Sequence, residues 1–105
     1  MSLAWTLLLL ASFTEALWGL SMKQIHLKFS ISMIFVIICL SACDITLLSF
    51  AMRKIPAGIA YAVWSGLGLI GVAIGGTIFF KEVLTLQQLF FFVVILVGIV
   101  GLKLT

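Results

Sequence analysis

The sequence predicts an all-α membrane protein, a single domain of four transmembrane helices over residues 1–105, and three observations support this fold class. Of the 105 residues, 65% are hydrophobic and only 9% are charged, whereas soluble domains carry about 25% charged residues. The mean hydropathy is +1.43. Charged and turn residues divide the chain into four long apolar runs, each near the roughly 20 residues that a helix needs to cross a bilayer.

The four predicted helices follow one another with very short connections. They cover residues 3–22, 29–52, 57–80 and 86–102. The connections between them are residues 23–28, 53–56 and 81–85. Helices are predicted rather than strands because the apolar runs are continuous and about twice as long as the strands of membrane barrels. The connections are too short to fold alone, so consecutive helices are expected to pack as antiparallel neighbours.

The first predicted helix carries one charged residue, Glu15, near its middle. Removing an ionised carboxylate from water costs several kcal/mol or more, so an acid at this depth normally faces a polar cavity and indicates an ion or substrate path. Trp18 follows three residues later and therefore projects from the same face of the helix. Glu15 and Trp18 are the first candidates for a binding site.

The second predicted helix carries a second acid, Asp44, about two helical turns before its end. Burial of a carboxylate should be costly at this position as well. The same helix contains Cys39 and Cys43, which share a face because they are four residues apart. We interpret both cysteines as small packing residues, because further metal ligands are lacking around them.

The third predicted helix combines six glycines with two aromatic residues that suit a cation. Gly66 and Gly68 lie near its centre and predict a flexible point at which the two halves of the helix move separately, with plain close packing as the alternative. Tyr61 and Trp64 are three residues apart and project from one face. Their rings attract positive charge, and their polar groups suit a carboxylate. Together with Glu15 they favour a cation-binding pocket.

The fourth predicted helix carries Gly98 and Gly101 among aromatic and branched residues. Small residues let helices approach closely in lipid, so this patch predicts a dimer interface.

The basic residues predict the arrangement of that dimer, because an excess of lysine and arginine normally indicates the cytoplasmic side. One side of the membrane holds Lys23, Lys28 and Lys81, and the other holds Arg53, Lys54 and Lys103. A chain without a bias can insert in both orientations, which predicts an antiparallel, dual-topology dimer. A single orientation set by weaker cues is the alternative.

The start of the third helix resembles a known signature. Residues 56–68 read P-A-G-I-A-Y-A-V-W-S-G-L-G, which is similar to the P-x-G-x-A-Y-x-x-W-x-G-x-G motif of small multidrug resistance transporters. The resemblance covers the whole chain, with Glu15 at the position of the family's essential membrane acid and Lys23 after the first helix. It implies a dimer that exchanges protons for cationic compounds, with Glu15 as the shared proton and substrate site. Tyr61 and Trp64 correspond to residues that line the pocket.

Two further positions refine this resemblance. A tryptophan three residues after the acid, here Trp18, resembles the guanidinium-exporter branch of the family, in which this tryptophan helps to shape the site. Asp44 departs from the family, which usually has a serine there. Three interpretations of Asp44 stay open: a site for more positive substrates such as polyamines, a protonated acid that donates to Glu15, and a structural polar contact. The hydroxyls considered for that contact belong to Thr46, Ser41 and Ser49. A heterodimer whose partner carries the serine is a further alternative.

These observations predict a multi-pass protein of the cell's inner membrane, a proton-coupled antiporter that exports small cations such as guanidinium as a homodimer. The alternatives are a quaternary-ammonium or polyamine exporter, a lipid-linked sugar flippase, a channel and an assembly subunit. An enzyme is not indicated, because the single histidine lies in a connection and neither a nucleophile elbow nor a phosphate-binding loop is present. No cofactor, metal or nucleic-acid partner is predicted, and the net charge of +3 suits anionic lipid headgroups.

Overall fold

The computed structural model describes residues 3–104 and contains four α-helices joined by short connections. They are α1 (Leu3–Leu27), α2 (Ile31–Ala51), α3 (Ala57–Phe79) and α4 (Leu86–Leu104). All four are long and apolar enough to cross a membrane, and no strand occurs in this part of the chain. The predicted four-helix membrane fold is confirmed.

The helices differ from the prediction mainly at the end of α1. Residues 23–28 are predicted as a connection, but α1 continues to Leu27 and holds His26 in its last turn. The Lys28 N–H still donates to the Gln24 carbonyl, at 2.8 Å. Lysine, glutamine and leucine all favour helix. The first charged residues after an apolar run therefore indicate the edge of the membrane's hydrocarbon core, and the helix can continue beyond it.

Local capping interactions fix the start of the other helices. The Ser30 hydroxyl accepts a hydrogen bond from the Met33 N–H at 3.2 Å and caps α2. Pro56 directly precedes α3, where its missing N–H does no harm. Thr85 and Gln88 form a reciprocal capping box before α4, with each backbone N–H donating to the other side chain at 3.0 and 3.2 Å.

The helices form an open, flat layer rather than a closed bundle. α1 packs against both α2 and α3, whereas α4 packs chiefly against α3, and the Cα extents are 42 × 35 × 19 Å. The buried apolar core consists of Ala4, Leu8, Ala51, Ile55, Ala60, Val63 and Ile99. Within the described residues, Ile99 is the single buried side chain of α4. Most of α4 is therefore available to lipid or to a second chain.

Glycines of α3 bring it into close contact with α1. A Cβ atom added at Gly71 would lie 2.6 Å from the Ala16 Cβ, which is too close for two carbon atoms. The Ala16 Cβ is attached directly to the backbone and cannot rotate away. Close helix approach through small residues is typical of packing in lipid.

We expect Gly71→Ala to lower the free energy of unfolding by about 1–3 kcal/mol, the usual cost of overpacking a tight contact. Titration with a denaturing detergent in mixed micelles measures this change. Gly58→Ala is the matched control, because an added Cβ there meets nothing within 4 Å and alanine favours helix. If both variants unfold at the same detergent fraction as the wild type, the close contact between α1 and α3 is absent in the protein.

Candidate functional site

Asp44 is the buried polar residue of the candidate site. It lies on α2 and is only 5% exposed. One of its carboxyl oxygens accepts a hydrogen bond from the Trp64 indole N–H at 2.7 Å. Trp64 lies on α3, so this bond joins two helices whose backbones have few contacts of their own.

Glu15 lies on α1 beside this pair. Its side chain is half-buried and packs against Gly68 of α3, where an added Cβ would lie 2.6 Å from the Glu15 Cγ. Asp44 lies near Glu15, because its partner Trp64 is one helical turn before Gly68 on α3, and Glu15 packs against Gly68. Within residues 3–104 neither acid has a basic partner, since the ion pair in this part of the chain joins Lys23 and Glu82. Two carboxylates in apolar surroundings repel each other, so both can ionise only when a cation is near.

Tyr61 extends the site along α3. Its ring centroid lies 5.1 Å from that of Trp64, with an angle of 56° between the ring planes. The structure therefore brings Glu15, Asp44, Trp64 and Tyr61 into one region. Trp18 is half-buried on α1, one helical turn after Glu15, and its place beside these residues stays a prediction.

In a single chain this region is partly open, although Asp44 within it is buried. Glu15 is half-buried, and Tyr61 is 56% exposed. A crevice of about 460 Å³ lies elsewhere, between the start of α1 and the end of α2, and contains none of these residues. A cavity that encloses a substrate therefore needs further walls.

Gly66 and Gly68 lie within one continuous helix, α3. Both are buried, Gly66 against Ile99 and Ile95 of α4 and Gly68 against Glu15. Both glycines thus permit close packing, and the flexible point between them stays a prediction.

Gly98 and Gly101 lie on the exposed part of α4. An added Cβ at either position meets nothing within 4 Å. They are therefore accessible to a second chain, and their role in a dimer also stays a prediction.

The bond from Trp64 to Asp44 is not among the contacts that the sequence predicts. None of the three interpretations of Asp44 includes Trp64, and the Thr46 hydroxyl donates instead to the Ala42 carbonyl of its own helix, at 2.8 Å. A signal was present, because Asp44 and Trp64 are equally far along the chain from Lys54, in the turn between α2 and α3. Equal separations from a tight turn place residues at the same height in antiparallel helices.

Comparison with known proteins gives a family match over nearly the whole chain. A family model described as Small Multidrug Resistance protein matches residues 3–95. The chain is similar to a protein named guanidinium exporter from Yersinia pseudotuberculosis, with 36% identity over 102 residues that cover 97% of this chain and 98% of the relative. A protein of the same name from Proteus vulgaris is 35% identical over 97% of this chain and 98% of the relative. Another from Citrobacter freundii is 36% identical over 98% of both chains.

Proposed function

The chain belongs to the small multidrug resistance family, and on that basis we propose that it is a proton-coupled exporter of small cations such as guanidinium. It is a multi-pass membrane transporter and not an enzyme. The observation that carries the proposal is that two acids of the apolar helices, Glu15 and Asp44, both contact the same stretch of α3 and have no basic partner in the described residues. The names of the relatives support guanidinium as the cation.

Glu15 holds either a proton or the transported cation in this mechanism. An ionised carboxylate in apolar surroundings needs a counter-charge, and the arriving cation supplies it as the proton leaves. The same group cannot hold both ligands, so inward proton movement is coupled to outward cation movement. The rings of Tyr61 and Trp64 add cation–π attraction, and Trp18 borders the site on α1.

A second copy of the chain completes the site in this proposal. The site is partly open in one chain, and α4 presents Gly98 and Gly101 on an exposed face. The equal division of basic residues permits both orientations in the membrane. An antiparallel homodimer then encloses one cavity that opens to each side in turn. A heterodimeric partner is the alternative, and transport by the purified chain alone decides between the two.

We expect Gly98→Leu to weaken self-association by about tenfold, because a bulky side chain separates helices that meet through small residues. Energy transfer between labelled chains, measured at several protein-to-lipid ratios in vesicles, gives the dimer dissociation constant. Gly58→Leu is the matched control, because Gly58 is equally exposed and has no neighbour within 4 Å of an added Cβ. Equal dissociation constants for both variants would remove Gly98 from the interface.

Uptake into vesicles tests the proposed function. Purified protein is placed in liposomes whose interior is more acidic than the outside, and labelled guanidinium is added outside. We expect guanidinium to accumulate inside against its own gradient and to leave again when an ionophore abolishes the pH difference. Uptake that is indifferent to the pH difference would indicate a channel, and no uptake of guanidinium, quaternary ammonium or polyamine would indicate a different function.

A further inference from the structure

The hydrogen bond between Trp64 and Asp44 restrains one aromatic wall of the site. The distance from the Trp64 Nε1 to the Asp44 Oδ1 is 2.7 Å, at the short end of the range for an N–H···O bond. On α3 the Trp64 ring also lies against Tyr61. The indole is thus held by a polar bond from α2 and by ring packing on its own helix.

This bond uses the single hydrogen-bond donor of the Trp64 side chain. An indole has one N–H and no acceptor, so a Trp64 ring bonded to Asp44 cannot donate to Glu15 or to a substrate. What the ring offers to a cation is its face. The position of that face is set by Asp44.

Burying the carboxyl group of Asp44 costs more free energy than a purely structural contact requires. A carboxyl group that is 5% exposed loses most of its hydration, and a side chain of similar size without charge would fill the same space without that cost. In the described part of the chain its one hydrogen-bond donor is Trp64. The interaction that requires a carboxyl group at position 44 is therefore the hydrogen bond from Trp64.

We infer that Asp44 is a positioning residue that determines specificity: its bond to Trp64 holds the indole as a fixed wall, and this wall favours small planar cations over bulky quaternary ones. The inference rests on the proposed function. A flat guanidinium can lie against a fixed ring face. A bulky cation such as tetrapropylammonium needs room that opens only when the ring swings away.

A double-mutant cycle tests this role. Asp44→Leu removes the acceptor, and Trp64→Phe removes the donor while keeping a ring. Titration calorimetry in detergent gives the dissociation constants of guanidinium and tetrapropylammonium, and their ratio is the discrimination. We expect each single variant to lower the discrimination by about tenfold, the effect of losing one hydrogen bond. The double variant should lower it no further, because both changes remove the same bond. Effects that multiply to about a hundredfold would overturn the inference.

Two further variants keep the test decisive if Asp44→Leu does not fold. Asp44→Asn keeps an acceptor for the indole and removes the charge, so both affinities should fall while their ratio stays near that of the wild type. A ratio lowered as far as in Trp64→Phe would show that the charge and not the bond sets the discrimination. Trp5→Phe makes the same aromatic change at the start of α1, outside the site, and should leave the ratio unaltered.

The binding assay separates this inference from the proposed function. The ratio of the two dissociation constants is measured at equilibrium, without a pH difference. If the protein shows no coupled uptake in vesicles, the antiporter function is refuted, but this ratio can still be measured. If the effects of Asp44→Leu and Trp64→Phe on the ratio multiply, and the wild-type protein still performs coupled uptake, only the positioning role of Asp44 is refuted.

Discussion

Glu15→Gln is expected to reduce gradient-driven guanidinium uptake to the level of empty vesicles. Glutamine has almost the size of glutamate and can still form hydrogen bonds, but it neither carries negative charge nor exchanges a proton in the working pH range. A site without that exchange cannot couple the two fluxes. The initial rate of labelled guanidinium uptake, in vesicles with a more acidic interior, measures the loss.

Glu82→Gln is the matched control for this change. Glu82 pairs with Lys23 at the connection between α3 and α4, and its side chain is 44% exposed. Exposed ion pairs contribute about 0–1 kcal/mol, so this variant should fold and retain gradient-driven uptake. If Glu15→Gln transports as well as Glu82→Gln, Glu15 is not the shared site.

Gly68→Val is expected to lower guanidinium uptake by about tenfold or more, because a displacement of about 1 Å in a group that must be positioned for its ligand can cost that much. A Cβ at this position would lie 2.6 Å from the Glu15 Cγ and 3.2 Å from its Cβ. The valine side chain would therefore occupy the space in which the Glu15 side chain rests, and the carboxyl group would have to move. The same vesicle assay measures the effect, with the amount of folded protein checked by gel filtration.

Gly58→Val controls for the cost of a β-branched residue in α3, because Gly58 has no neighbour within 4 Å of an added Cβ. Equal uptake by both valine variants would contradict the contact between Gly68 and Glu15. Gly66→Ala addresses the predicted flexible point separately, since its added Cβ would meet the end of the Ile99 side chain, which can rotate. A large loss of transport in a folded Gly66→Ala protein would support a hinge, and unchanged transport would leave Gly66 a packing residue.

The fold could be predicted from the sequence because composition and run length alone determine it. Four apolar stretches of the right length leave few arrangements for the backbone in lipid. The end of α1 could not be placed in the same way, because Lys23 and Gln24 are compatible with both helix and water. Hydropathy locates the membrane boundary, and capping determines where each helix starts.

The site could be predicted in part. Glu15 stands out because a charge within an apolar run is costly, and Tyr61 and Trp64 follow from their shared face. The bond between Asp44 and Trp64 depends on how α2 and α3 rotate about their own axes. Helices that are apolar on all sides give little information about rotation, so the sequence pattern does not determine this contact.

The affinity for guanidinium as a function of pH tests most directly whether one carboxyl group in α1 binds either a proton or the cation. At low pH the proton occupies Glu15 and competes with guanidinium, so the wild-type affinity should rise as the pH rises and become constant once the group is ionised. Over the rising range each guanidinium that binds should release protons into a weakly buffered solution, and Glu15→Gln should lose most of this pH dependence. A wild-type affinity that is the same at every pH, with no proton released on binding, would contradict the account.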